Sequence, residues 1–154
     1  MVHASVFIPP QDIAAEKLGL HPHIDPSQLG LYNPGSCFAS TRSYIKNHRD
    51  TVTRVMQAFV EGLKFDRENK EFVLKVTADS AQNRDTEVLN ATYNTVTRFQ
   101  ERVPYVNMKG IEFMLKVIEL RHPRVRNFDP TNAVDSSFIK ELEKAGFVDS
   151  VWIK

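Results

Sequence analysis

Three residues in the first part of the chain have side chains that could bind a metal ion. His21, His23 and Asp25 alternate along the sequence, so an extended strand would place all three on one face. Pro22 and Pro26 interrupt and follow this pattern, however, and they are typical of a turn-rich surface loop whose polar side chains are solvated. We therefore expect no metal site and no cofactor here.

Nucleophilic catalysis by a cysteine is a second kind of chemistry that the sequence could support. Cys37 is the single cysteine of the chain, and a distant histidine could in principle activate it. It lies in a short apolar segment with Phe38 and Ala39, where a cysteine is typically a small buried side chain. One cysteine also allows no internal disulfide and no cysteine-rich metal site. The sequence predicts no catalytic residue.

The densest basic cluster consists of Arg121, His122, Arg124 and Arg126, and Phe128 beside it could stack on a nucleic-acid base. The cluster is more typical of a solvated loop, because an aspartate follows directly and the net charge of the chain is only +1. With 20 Lys+Arg against 19 Asp+Glu, attraction to nucleic acid or to an acidic membrane is not expected.

The chain opens on an apolar, β-branched run from Val2 to Ile8, which ends directly on Pro9, Pro10 and Gln11. A strand that turns sharply into a helix presents backbone N–H groups at the rim of an α/β sheet, where ligands bind. Stiffening of an ordinary turn by the two prolines is the other interpretation. Because a buried strand needs neighbours, we expect this chain to be the later part of a larger α/β domain.

Apolar spacing and capping residues predict the elements that follow. A first helix is expected from about Pro10 to Leu18, ended by Gly19. A second strand-to-helix unit is expected from Cys37 to Ile45, with Ser40 or Thr41 as the helix cap.

The second half of the chain has a helical period. The firmest prediction is a long amphipathic helix that carries Val52, Val55, Met56, Phe59, Val60 and Leu63 on one stripe. Four further helices are predicted around residues 72–76, 88–99, 111–118 and 138–142. Asp85 and Asp135 are the expected caps of two of them, and Gly146 ends the last. The closing segment 147–154 is predicted to be a strand or an ordered tail.

A series of short motifs resembles one known family. The motifs are Ile8-Pro9-Pro10, Lys17-Leu18-Gly19, Pro34-Gly35, Ser40-Thr41-Arg42-Ser43-Tyr44-Ile45, His48-Arg49-Asp50, Val60-Glu61-Gly62 and Val134-Asp135-Ser136-Ser137-Phe138. In this order they resemble the second half of the substrate-binding proteins of ABC transporters in the NMT1/THI5-like group, which includes binding proteins for sulfonates, nitrate and thiamine pyrimidine precursors. Ile8 and Gln11 stand where that group usually has Ser and an aromatic residue, so the resemblance does not define the ligand.

The resemblance implies an α/β fold class: the C-terminal part of a two-lobed periplasmic-binding-protein (type II) fold, predominantly helical after residue 40. Residues 1–33 would finish the second lobe. Residues 34–154 would cross the hinge and provide helices of the first lobe, and the ligand would be captured as the lobes close. The implied ligand-binding residues are Ile8, Pro9, Pro10, Gln11, Cys37 and Phe38.

The implied function is that of the solute-binding component of an ABC importer, which captures a small organic nitrogen or sulfur compound and presents it to a membrane permease. Such a protein is not an enzyme, and it is periplasmic or anchored outside the membrane, although this chain carries no signal-peptide pattern. A relative of the thiamine pyrimidine-precursor synthases is one alternative, but their cysteine-rich motif is missing around Cys37. A free-standing helical interaction protein is another.

We expect the isolated chain to self-associate, because an apolar strand at residues 2–8 without neighbours would expose an unpaired edge. Size-exclusion chromatography coupled to light scattering measures the oligomeric state. A stable monomer that melts cooperatively would contradict both this expectation and the interpretation of the chain as half of a larger domain.

Overall fold

The structure is a computed structural model that describes residues 5–7, 11–24 and 35–153. All regular structure within these ranges is helical. The α-helices are α1 (Gln11–Lys17), α2 (Arg42–Asn47), α3 (Arg49–Glu68), α4 (Lys70–Ala81), α5 (Thr86–Phe99), α6 (Met108–Glu119), α7 (Ser137–Lys144) and α8 (Phe147–Trp152). Two 3₁₀ helices, Pro123–Asn127 and Pro130–Ala133, follow α6. None of the described helices combines the length and the apolar character needed to cross a membrane.

The α/β fold class expected from the sequence is wrong for the part of the chain that the structure describes, which contains no strand and no sheet. Ser5–Phe7, the described part of the expected strand at residues 2–8, forms no ladder. The segments at 21–24 and 37–39 form none either. A β-strand is stable only where a neighbouring strand exchanges backbone hydrogen bonds with it, and no other described segment supplies such a neighbour.

The described residues fall into two compact units. The first combines those of Met1–Ile24 with Gly62–Gln100, and the second combines those of Asp25–Glu61 with Glu101–Lys154. The helix α3 therefore begins in the second unit and ends in the first. The expected division of the chain after residue 33 refers to lobes of a larger protein and stays a prediction.

The first unit contains α1, the end of α3, α4 and α5. Asp85 caps α5, as predicted, because its Oδ1 accepts the backbone N–H groups of Glu87 at 3.0 Å and Val88 at 3.2 Å. Its Oδ2 accepts a hydrogen bond from Lys17 Nζ at 2.6 Å, which ties α1 to the start of α5. Burial of Ala15, Leu63, Val88 and Leu89 supplies the apolar core.

For α1, the structure confirms the predicted end of the helix but not the side chains predicted to be buried. Gly19 has a φ of 83°, the left-handed conformation that ends a helix with least strain at glycine. Leu18, expected on the apolar face, is 83% exposed, while Ala15 is buried. The side chain that contacts the core is therefore the small one.

The core of the second unit forms where the middle of α3 packs against α7 and α8. Val60 is fully buried, and it forms the core together with Ile139, Leu142 and Val148. The predicted amphipathic stripe on α3 is thereby confirmed at its most buried position. In the same unit Thr41 caps α2, its Oγ1 accepting the N–H of Tyr44 at 3.2 Å.

The end of the chain differs from the prediction. Phe147–Trp152 is a helix, not a strand or an ordered tail. Gly146 ends α7 as expected, with a φ of 73°, and this left-handed residue lets α8 begin at once. Val148 is buried in the core while Phe147, Val151 and Trp152 pack against it, so α8 is held by its apolar face.

Replacing Leu142 by alanine is expected to destabilise the protein by about 2–5 kcal/mol, because it removes a buried core side chain and leaves a cavity. Urea unfolding followed by circular dichroism measures this loss. The control is Leu120→Ala, at a leucine that is 84% exposed, where we expect a change within about 0.5 kcal/mol. Equal losses at the two positions would contradict the assigned core.

Candidate functional site

The second unit contains a cavity of about 320 Å³. Four segments line it: the loop before α2, the middle of α3, the loop between α5 and α6, and the start of α7. The lining residues are Ser36, Cys37, Phe38, Met56, Phe59, Pro104, Tyr105, Val106, Asp135, Ser136 and Ile139.

The floor of the cavity is part of the hydrophobic core. Ile139 is almost completely buried and belongs to the core cluster, and Met56 packs against that cluster. Phe59 lies three residues after Met56, so both side chains project from the same side of α3. The cavity therefore rests on side chains whose positions are set by core packing.

Three aromatic side chains contribute to the walls. The rings of Phe38 and Phe59 meet edge to face, with centroids 5.0 Å apart and an interplanar angle of 86°. Phe38 is 64% exposed, so most of its ring remains available for contact. The Tyr105 hydroxyl donates a hydrogen bond to Glu143 Oε2 at 2.7 Å, and this bond raises the pKa of Tyr105 above its ordinary value.

Asp135 is the charged residue among the described residues that line the cavity. Its Oδ1 accepts the backbone N–H of Ser137 at 2.9 Å, at the first residue of α7. The hydrogen bond from the Ser137 side chain is the main cause that lowers the pKa of Asp135, and the backbone N–H and the nearby charge of Arg49 act in the same direction. The carboxylate is therefore ionised at neutral pH.

Arg49 connects α3 to α7 beside the cavity. Its guanidinium forms an ion pair with Glu141 and donates a hydrogen bond to Ser137 Oγ at 3.3 Å. It also lies over the ring of Phe138, 4.3 Å from the centroid, where a cation is attracted to the face of the ring. These contacts hold the start of α7, and with it Asp135, next to α3.

The structure brings together two of the six ligand-binding residues expected from the resemblance, Cys37 and Phe38. Cys37 is exposed, so the expectation of a buried side chain is wrong, because the segment that carries it forms no strand. Gln11 is the exposed first residue of α1 in the other compact unit. Ile8, Pro9 and Pro10 lie outside the described residues.

The remaining candidates from the sequence are exposed or outside the described residues. His21 and His23 are exposed, and Asp25 lies outside the described ranges. Within those ranges, no three His, Cys, Asp or Glu side chains converge as metal ligands would. The basic cluster surrounds the exposed 3₁₀ helix Pro123–Asn127, where Arg126 forms an ion pair with Glu119.

Sequence reasoning assigned Phe59 only to a core stripe and Asp135 only to a helix cap, and it did not single out Tyr105. The N-cap of α7 is Ser136, not Asp135 as predicted, although the Asp135 carboxylate does accept the backbone N–H of Ser137, the first residue of the helix. No local pattern indicates that these three residues meet, because tertiary packing of separate segments brings them together.

No family model, curated protein or solved structure matches this chain. The resemblance to ABC-transporter binding proteins thus rests on the motifs themselves. The chemistry of the site rests on the geometry of the second unit: an apolar and aromatic cavity with one carboxylate among its described lining residues.

We expect the stabilising effect of Asp135 to depend on pH. Its pKa is lowered in the folded protein, so its contribution is fully present above about pH 4 and is lost as the pH falls through the lower folded pKa. Asp135→Asn should therefore lower the melting temperature at neutral pH and have a smaller effect in acid. Parallel melting profiles for the two proteins across this range would contradict the assignment.

Proposed function

We propose that this chain is a binding module that captures a small organic molecule in the cavity of its second unit. The observation that carries the proposal is the cavity itself, a partly apolar space of about 320 Å³ with a few polar groups on its walls. Ligand sites in proteins typically have roughly 300–1,000 Å³ and this kind of lining. The volume of this cavity lies at the lower limit of that range, which favours a small ligand with a single ring.

The chemistry of the lining supports capture rather than catalysis. A general base works best when its pKa is near the working pH, but the pKa of Asp135 is lowered by the hydrogen bonds from Ser137. Tyr105 has its pKa raised by Glu143, which makes its hydroxyl a weaker acid. Both groups are suited to hold a ligand by charge and hydrogen bonding.

The motifs from Ile8 to Phe138 support a role in uptake. We propose that the chain acts as the solute-binding component of an ABC importer, takes a small organic nitrogen or sulfur compound outside the cytoplasm, and presents it to a membrane permease. This role needs a ligand site and a surface for the permease. The described residues do not form the α/β fold that the resemblance implies, so the support for this role is the cavity and the motifs.

A helical protein-interaction module is the second candidate function, because aromatic rings remain exposed on the first unit. Phe65 and Phe72 meet edge to face with ring centroids 5.5 Å apart, and each is about half exposed. Their burial by another protein would be favourable. A protein whose function is this contact alone would bind no small molecule in the cavity.

A ligand screen tests the proposal, using sulfonates, nitrate, pyrimidines and short amines in thermal-shift and calorimetric measurements. The test variant is Phe38→Ala, which removes an exposed aromatic wall. We expect about fivefold to tenfold weaker binding of a ligand found in the screen, since an aromatic contact contributes about 0.5–1.5 kcal/mol beyond area burial.

The matched control is Phe99→Ala. Phe99 is 66% exposed, similar to the 64% of Phe38, but it belongs to the first unit and does not line the cavity. Its loss should leave the affinity unchanged. Absence of binding throughout the screen, or equal weakening by the two substitutions, would contradict the proposal.

A further inference from the structure

We infer that the cavity selects a small organic cation: a protonated amine attached to an apolar body of about one ring. This inference rests on the proposed function, because it names the class of ligand for the same site. The resemblance leaves sulfonates, nitrate and nitrogen compounds open as ligands. A preference for cations would exclude the sulfonates and nitrate, because these are anions.

The charge on the described lining of the cavity is negative. Asp135 lines it, and Glu143 accepts the hydrogen bond of the lining residue Tyr105. The cation that influences Asp135 is Arg49, whose guanidinium is already paired with Glu141. The described lining therefore carries one carboxylate and no Lys, Arg or His side chain, so a positive ligand is favoured there and a negative one is repelled.

The start of α7 could attract an anion, but a carboxylate of the protein already occupies that position. Backbone N–H groups and the helix dipole favour negative charge at a helix N-terminus. Here the N–H of Ser137 donates to Asp135 Oδ1 at 2.9 Å. A sulfonate or nitrate would have to displace this carboxylate, whereas an ammonium group can donate to it. A carboxylate has about four acceptor sites, so the hydrogen bond from Ser137 leaves room for a ligand.

The aromatic walls favour the same class of ligand. Cations are attracted to the faces of aromatic rings within about 6 Å of the centroid, and Phe38, Phe59 and Tyr105 line the cavity together with Asp135. Tyr105 keeps its proton over a wide range of pH, because its hydrogen bond to Glu143 raises its pKa. The buried floor at Ile139 provides an apolar contact for the body of the ligand.

Three compounds with the same aromatic ring but different charge test this inference: benzylammonium, benzyl alcohol and benzenesulfonate. Isothermal titration calorimetry of the whole chain at neutral pH should show benzylammonium binding at least about tenfold more tightly than benzyl alcohol, the gain typical of a charge-assisted hydrogen bond. Benzenesulfonate should bind more weakly than benzyl alcohol.

Asp135→Asn should reduce the preference for benzylammonium over benzyl alcohol by about tenfold, since it removes the charge and keeps a side-chain oxygen that can accept the backbone N–H of Ser137. The matched control is Asp50→Asn on α3, where Asp50 pairs with Arg54 at 3.2 Å and does not line the cavity. We expect it to keep the preference. The comparison of the three compounds on the unmodified chain needs no variant to fold.

Benzenesulfonate binding as tightly as benzylammonium, or an unchanged preference in Asp135→Asn, would overturn this inference while the proposed function stands. Tight binding of another sulfonate or of nitrate from the wider screen would do the same. Failure of every compound in that screen to bind would overturn both. The two failures are therefore distinguishable.

Discussion

The burial of Val60 among Ile139, Leu142 and Val148 is the interaction on which the second unit depends. It fixes α3 against α7 and α8, and the cavity lies directly beside this contact. Phe59 precedes Val60 on α3, while Asp135 precedes α7, so both reach the cavity only if these helices keep their packing. Core packing and the geometry of the cavity are thus set by the same side chains.

The sequence predicts this fold where local interactions decide it. The stripe that ends at Val60 and Leu63 has a helical period, and the caps Thr41 and Asp85 satisfy backbone N–H groups within a few residues. The expected strands are absent from the described residues, because an apolar β-branched segment forms a strand only with a distant partner. For α8, the apolar spacing of Phe147, Val148, Val151 and Trp152 is helical, and more weight on this periodicity would have identified it.

The candidate site could be predicted only in part. Cys37 and Phe38 were singled out, and both line the cavity. Tyr105 and Asp135 come from other segments of the chain, and their meeting depends on tertiary packing that one sequence does not reveal. Asp135 was predicted as the cap of α7, and it lies one residue before the actual N-cap, Ser136. The hydrogen bond from Ser137 also holds the charge of Asp135 on the lining of the cavity.

The helix α3 crosses between the two compact units without a loop. Val60 is buried in the second unit, and Leu63, three residues later, is buried in the first. Less than one helical turn separates these positions, because an α-helix has about 3.6 residues per turn. Neither unit can therefore be cut out of the chain without cutting α3 between two of its core residues.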